Sequence, residues 1–231
     1  MLKFLFIFQM CASNKTLLDL NDDCLMEIFQ YLTVPETFSL IELHPRFENV
    51  GCKRVAKLKH LDINFREPPE FTISQLEIIG SNLRSLYISA GYSMPADMVL
   101  QYLQPICLHA SHLKTIKLHY FQFNADCQKC LISVASNVEN LNLNYCQLND
   151  ELLAPILTNC TNLKTLSLLG NYTLKCESLK CLNSKNLKEV QLEQNDFCKE
   201  SIQAFVVEHP HVKVIIFNQG RLNFQVYGPT E

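Results

Sequence analysis

Only six of the 231 residues are glycine, too few to leave room for a glycine-rich loop that cradles phosphate. No stretch reaches the ~20 apolar residues of a membrane-spanning helix. Charge of one sign is never concentrated: 20 basic and 23 acidic side chains give a net charge of -3. The basic stripe of a nucleic-acid reader is therefore missing. Cys127 and Cys130 form a CxxC pair, but no second pair follows at the spacing a zinc site needs. His109 and His112 stand three apart with no carboxylate placed to work with them. Eleven cysteines is an odd count, and their spacings fit no compact disulfide framework. These absences predict a chain without a cofactor, a metal or catalytic chemistry.

What the sequence does have is a repeated ladder, Leu-x-x-Leu-x-Leu, in seven copies. They read LKHLDI, LRSLYI, LKTIKL, VENLNL, LKTLSL, LKEVQL and VKVIIF, opening at Leu58, Leu83, Leu113, Val138, Leu163, Leu187 and Val212. The steps between them are 25, 30, 25, 25, 24 and 25 residues. A period in the twenties with this signature is that of a leucine-rich repeat, with one strand and one helix per coil. The expected fold is an α/β leucine-rich-repeat solenoid, parallel strands on the concave face and helices on the convex face. Such arrays usually bind other proteins.

The copy Val138–Asn162 shows the local logic. Alternate strand side chains share a face, so Val138, Leu141 and Leu143 point inward. Cys146 turns in after them, where its thiol can meet backbone groups, and Leu148 is the next anchor. Asp150 is read as the helix cap, and Leu153, Ile156 and Leu157 as the buried stripe. Cys160 falls where the helix end packs on the next coil. Eight residues after each opener from Leu83 on lie Gly91, Phe121, Cys146, Asn171, Asn195 and Gly220. Asn171 and Asn195 are expected to hydrogen-bond turn backbone that otherwise has no partner. The 30-residue step is assigned to a loop around Gly91–Pro95. Residues 221–231, with Leu222, Phe224 and Val226 in alternation, are expected to cover the last repeat.

Five cysteines (Cys107, Cys130, Cys146, Cys160 and Cys181) fall at or near positions the repeat wants small and apolar. Reduced core cysteines favour a cytoplasmic or nuclear protein. The apolar start MLKFLFIFQMCAS resembles a weak signal peptide and argues mildly for secretion; of the sequons at Asn14, Asn159 and Asn171, the repeat geometry already explains the last two.

Residues 17–50 read as three short helices. Asn21 caps the first, Asp22 and Asp23 suit its positive end, and Leu25, Ile28, Phe29 and Leu32 make one apolar face. Pro35 and Pro45 fit the first turns of the next two. This segment resembles an F-box: Leu20 matches the leading Leu, Ile28-Phe29 with Leu32 the central run, Leu40 the second helix and Leu43–Phe47 the end. Asn21 stands where the pattern has Pro, and Phe47 where it has Trp. The repeats resemble the cysteine-containing subtype. Together they are similar to the F-box/leucine-rich-repeat family, substrate receptors of cullin-based SCF ubiquitin ligases.

The resemblance implies a non-catalytic receptor. Leu20, Leu25, Ile28, Phe29, Leu32, Leu40 and Phe47 would dock a Skp-type adaptor, and through it a cullin. The repeats would bind an unknown protein substrate for ubiquitylation. Alternatives are an adaptor-independent scaffold and a secreted binding module. The implied division is an N-terminal tail (1–16), an F-box (17–56), about seven repeats (57–220) and a tail or cap (221–231). On the concave face, the candidate substrate contacts are Tyr87, Lys117, His119, Asn140, Asn142, Asn144, Tyr145, Gln191 and Glu193. Tyr120 lies just beyond them. Val214 and Ile216 are read as an apolar concave pair.

Overall fold

Short polar side chains start the helices of the first unit. The Asn21 side chain accepts from the Cys24 amide at 2.8 Å and opens α1 (Asp22–Gln30). Thr33 and Glu36 form a reciprocal capping box at the start of α2 (Val34–Ile41), and His44 Nδ1 accepts from the Arg46 amide to start α3 (Pro45–Ala56). The computed structural model describes residues 16–195, 198–218 and 224–229. The chain divides into two units, Met1–Lys57 and Leu58–Glu231. The tail ahead of Thr16, with Asn14, lies outside the described residues, as do Gly220 and Leu222.

In the first unit, Leu25, Phe29, Leu40, Phe47 and Val50 form the core, with Leu17, Leu20, Met26 and Leu32 packed at its edge. The Phe29 and Phe47 rings lie 6.1 Å apart. Gly51 lets α3 approach α2 closely: a Cβ there would sit 2.4 Å from Ile41 Cγ1. The Arg46 guanidinium donates to the carbonyls of Leu18 and Leu20 and pairs with Asp22 at 3.3 Å, tying the entering chain to α1 and α3.

In the second unit the ladder becomes a single sheet in strand order β1 to β8. Its strands are β1 (His60–Asn64), β2 (Ser85–Met94), β3 (Thr115–Phe121), β4 (Asn140–Asn144), β5 (Thr165–Ser167), β6 (Glu189–Gln194), β7 (Lys213–Asn218) and β8 (Phe224–Tyr227). The first seven pair in parallel, and β8 returns antiparallel to β7. Between them run α4 (Ile73–Gly80), α5 (Ala96–His109), α6 (Ala125–Val134), α7 (Asp150–Asn159) and α8 (Lys199–Glu208). The inward ladder residues, from Leu61 and Ile63 through Leu141 and Leu143 to Val190 and Leu192, are buried. Each coil is locked to its neighbour at the strand start. For example, the Lys114 carbonyl accepts both the Glu139 and the Asn140 amides, and the Glu139 carbonyl accepts those of Lys164 and Thr165.

Five expectations change. The 30-residue step is not a loop: β2 is ten residues long, its register with β3 shifts between Ser89 and Met94, and α5 is fourteen residues long. The coil after β5 has no α-helix, only a 3-10 turn at Glu177–Cys181. The cap of α7 is Asn149, which accepts from the Leu152 amide at 2.9 Å. Asp150 instead reaches the next coil and accepts from the amides of Lys175 and Ser178 and from the Ser178 hydroxyl.

The register also places Lys213, not Val214, opposite Glu189. Val214 and Ile216 are therefore core residues, and Lys213, Ile215 and Phe217 face outward. The strand KVIIF is apolar on both phases, so its pattern alone does not decide which phase is inside. Lastly, β8 pairs with the sheet edge but stays exposed along its length, so it extends the sheet without covering the core.

Candidate protein-binding surfaces

The outward side chains of the strands run in rows across the sheet. His60, Ser85, Thr115, Asn140, Thr165, Glu189 and Lys213 form one row, in register. Its polar members bond to each other: Asn140 Nδ2 donates to Thr115 Oγ1 at 3.2 Å, and the Thr165 hydroxyl donates to Asn140 Oδ1 at 2.8 Å. Glu189 pairs with Lys213 at 3.5 Å and accepts from Gln191 Nε2 at 2.7 Å.

The next rows centre on His119. Its Nε2 lies 2.8 Å from Asn142 Oδ1 and its Nδ1 3.3 Å from the Tyr87 hydroxyl. An amide oxygen accepts only, so Nε2 carries the proton and Nδ1 accepts from Tyr87. Burial holds the His119 pKa below its usual value; the bond to Asn142 opposes this and the nearby Lys117 charge adds to it. Asn144 is buried and accepts from the Leu169 amide at 2.8 Å and the Ser167 hydroxyl at 3.0 Å. It is a structural residue, closed off where the next coil turns over it. Reading it as a contact residue is corrected accordingly.

Where the strands end, tyrosines gather. Tyr120 and Tyr145 stack with ring centroids 4.7 Å apart and an interplanar angle of 11°. Both residues hold left-handed backbone, φ 64° and 57°, a conformation rare for large side chains. The next coil has Gly170 there, at φ 70°; a Cβ on it would lie 2.1 Å from the Tyr145 ring. Tyr172 stands exposed beside them, and the Gly170 amide donates to Glu193 Oε2 at 2.8 Å. The pKa of Tyr145 is raised by burial, then by Tyr120 and the Glu193 charge; that of Tyr172 by burial, then by Glu193 and Tyr120. At the opposite ends of the strands the charge is basic: Lys59, Arg84, Lys114, Lys164 and Lys188 follow the repeat openers. Within that column Glu139 sits between Lys114 at 3.2 Å and Lys164 at 2.6 Å, which hold its carboxyl below the usual range.

The ladder position behaves as an internal brace. Asn171 Oδ1 accepts the amides of Cys146 and Leu148, each at 3.1 Å, while its Nδ2 donates to the carbonyls of Leu143 and Leu168. The Cys146 thiol donates to the Leu118 carbonyl at 3.1 Å. Asn195 Nδ2 donates to the Leu174 carbonyl at 3.0 Å. Cys107, Cys146 and Cys160 are buried, which pushes their thiols up, Cys160 to about 12; Cys130 and Cys181 are half-buried. Among the described residues no group of three or more His, Cys, Asp or Glu side chains is placed to hold a metal, and no helix is long and apolar enough to cross a membrane.

Residues 77–226, more than half the chain, match the family described as "FBD-associated F-box protein At5g56370, LRR repeats". The chain belongs to this F-box-associated leucine-rich-repeat family. No curated protein matches it. The matched span begins in α4, so α1 to α3 lie outside it.

For an F-box-associated chain, the placement of the seven adaptor-contact candidates matters. Leu25, Phe29, Leu40 and Phe47 are in the first unit's core and hold the helices together. That corrects their reading as contact residues, because a docked partner reaches only what lies outside. Leu20, Ile28 and Leu32 are half-buried, and Tyr31 (88 %) and Leu43 (71 %) are exposed. Of the sheet candidates, Lys117 is exposed, Tyr145 is 37 % exposed, and Tyr87, His119, Asn140, Asn142, Gln191 and Glu193 are half-buried within the network described above. Tyr172, Ile215 and Phe217 escaped sequence reasoning. Tyr172 lies two residues past the column of Tyr120 and Tyr145, and the other two were hidden by the ambiguous last strand.

Proposed function

We propose that the chain is a non-catalytic substrate receptor of an SCF-type ubiquitin ligase. The observation that carries this reading is the match to an F-box-associated repeat family. In it, the three helices of residues 17–56 are an F-box that docks a Skp-type adaptor, and through it a cullin. The repeats form a solenoid whose concave strand face binds a target protein. Neutral thiols in the repeat core suit the reducing cytoplasm or nucleus. The mechanism is proximity: holding the adaptor and the target on one chain makes ubiquitin transfer effectively intramolecular.

Support for a docking face comes from the apolar side chains that the first unit leaves outside its core, Ile28, Tyr31 and Leu43. Large apolar side chains left at the surface of so small a unit suit an interaction site. Co-purification with a Skp-type adaptor tests the reading. The parent chain should capture the adaptor, and the pair Ile28→Glu and Leu43→Glu should lose it while far-ultraviolet circular dichroism is unchanged. Failure of the parent chain to bind any such adaptor would sink the ligase reading.

A further inference from the structure

Resting on the reading of the strand face as a target-binding surface, we infer that Tyr120, Tyr145, Tyr172 and Glu193 form a recognition site for an arginine side chain of the target. Three exposed tyrosines from successive coils stand at the strand ends, at 39 %, 37 % and 50 % exposure, the first two in ring contact and Tyr172 within electrostatic reach of both and of Glu193. Buried rings would be explained as packing; these are presented to solvent. The first two are stacked face to face, a rigid platform that needs no ordering when a partner arrives.

The charge pattern selects the ligand. Glu193 is half-buried, and among the described residues no Lys, Arg or His lies within ion-pair distance of it. Glu189, on the same strand, has Lys213, and Glu139 has two lysines. Oε2 of Glu193 is fixed by the Gly170 amide, and among the described residues no donor meets Oε1, which can accept from an incoming one. A carboxylate that has no cation among the described residues and lies beside aromatic faces suits a planar cation: the guanidinium stacks on a tyrosine ring and donates to the carboxylate edge. The basic column lies at the far end of the strands and would repel the same group there. At the tyrosine end of the strands Glu193 therefore offers a place for a cation, which sets the target's polarity across the sheet.

The test uses the full chain labelled with nitrogen-15 and two probes at millimolar concentration and constant ionic strength. One is N-acetylarginine amide; the other is N-acetylcitrulline amide, its uncharged isostere. The Gly170 amide resonance should move saturably with the arginine probe and about fivefold less with citrulline. Glu193→Gln, which still accepts from the Gly170 amide, should weaken the arginine response about fivefold, and Tyr172→Ala should do the same. Equal responses to the two probes, or an arginine response unchanged in Glu193→Gln, overturn the site. The probes need no adaptor, so the two failures separate. Adaptor capture without arginine binding removes this site alone, and arginine binding without adaptor capture removes the ligase reading alone.

Discussion

At the scale of single residues, the repeat is held by a few polar side chains that replace missing backbone partners. Asn171 is buried and satisfies two amides and two carbonyls of neighbouring turns at once. Asn171→Ala strands all four in a site closed to water, and should cost roughly 2–4 kcal/mol. Cys146→Ala removes one weak thiol donor to the Leu118 carbonyl and should cost about 1 kcal/mol. Urea unfolding of the two variants checks the order; a Cys146 variant less stable than the Asn171 variant would contradict this division of roles. Both residues were legible, because each stands eight places after an opener, where the ladder needs a side chain that answers backbone. The tyrosine shelf was legible only in part. Tyr120 and Tyr145 share a column, but nothing in their spacing shows a left-handed backbone, a stacked pair, or Tyr172 joining them from another column.

At the scale of elements, the strands from β3 to β6 were predictable and their connections were not. A strand is marked by a period of two over a few residues, and the parallel register follows once equal copies lie side by side. A connection depends on which polar group satisfies which turn, and neighbouring residues compete for that role. Asn149 and Asp150 both suit a cap, and the structure gives the cap to Asn149. Asp150 is thereby free to pin the following coil, which turns as a 3-10 element with Leu179 and Leu182 buried. Asp150→Ala should leave α7 intact and loosen that coil by about 1–2 kcal/mol. Hydrogen exchange reads this directly: the Ser178 amide should exchange faster while the Leu152 amide, capped by Asn149, keeps its rate. Equal acceleration at both sites would mean that Asp150 acts on α7 after all.

At the scale of the whole molecule, a stack of parallel strands has ends, and an open strand edge invites pairing with another chain. The last parallel strand here is the most exposed to that hazard, since β7 is apolar on both faces, with Val214 and Ile216 inside and Ile215 and Phe217 out. The antiparallel β8 occupies its free edge from Val214 to Phe217, and the Phe224 ring lies 5.8 Å from that of Phe217. Because β8 is exposed along its length, its contribution is less to burial than to occupying donors and acceptors that would template another strand. A chain ending at Asn218 should therefore lose little thermal stability yet self-associate. Sedimentation at increasing concentration should show the full chain monomeric and the shortened one forming larger species. Adding Ile215→Lys to the shortened chain should restore the monomer, because a charge on the outward face of an edge strand opposes pairing. A shortened chain that stays monomeric would show that β7 needs no such guard, and β8 would then be a tail that happens to lie along the sheet.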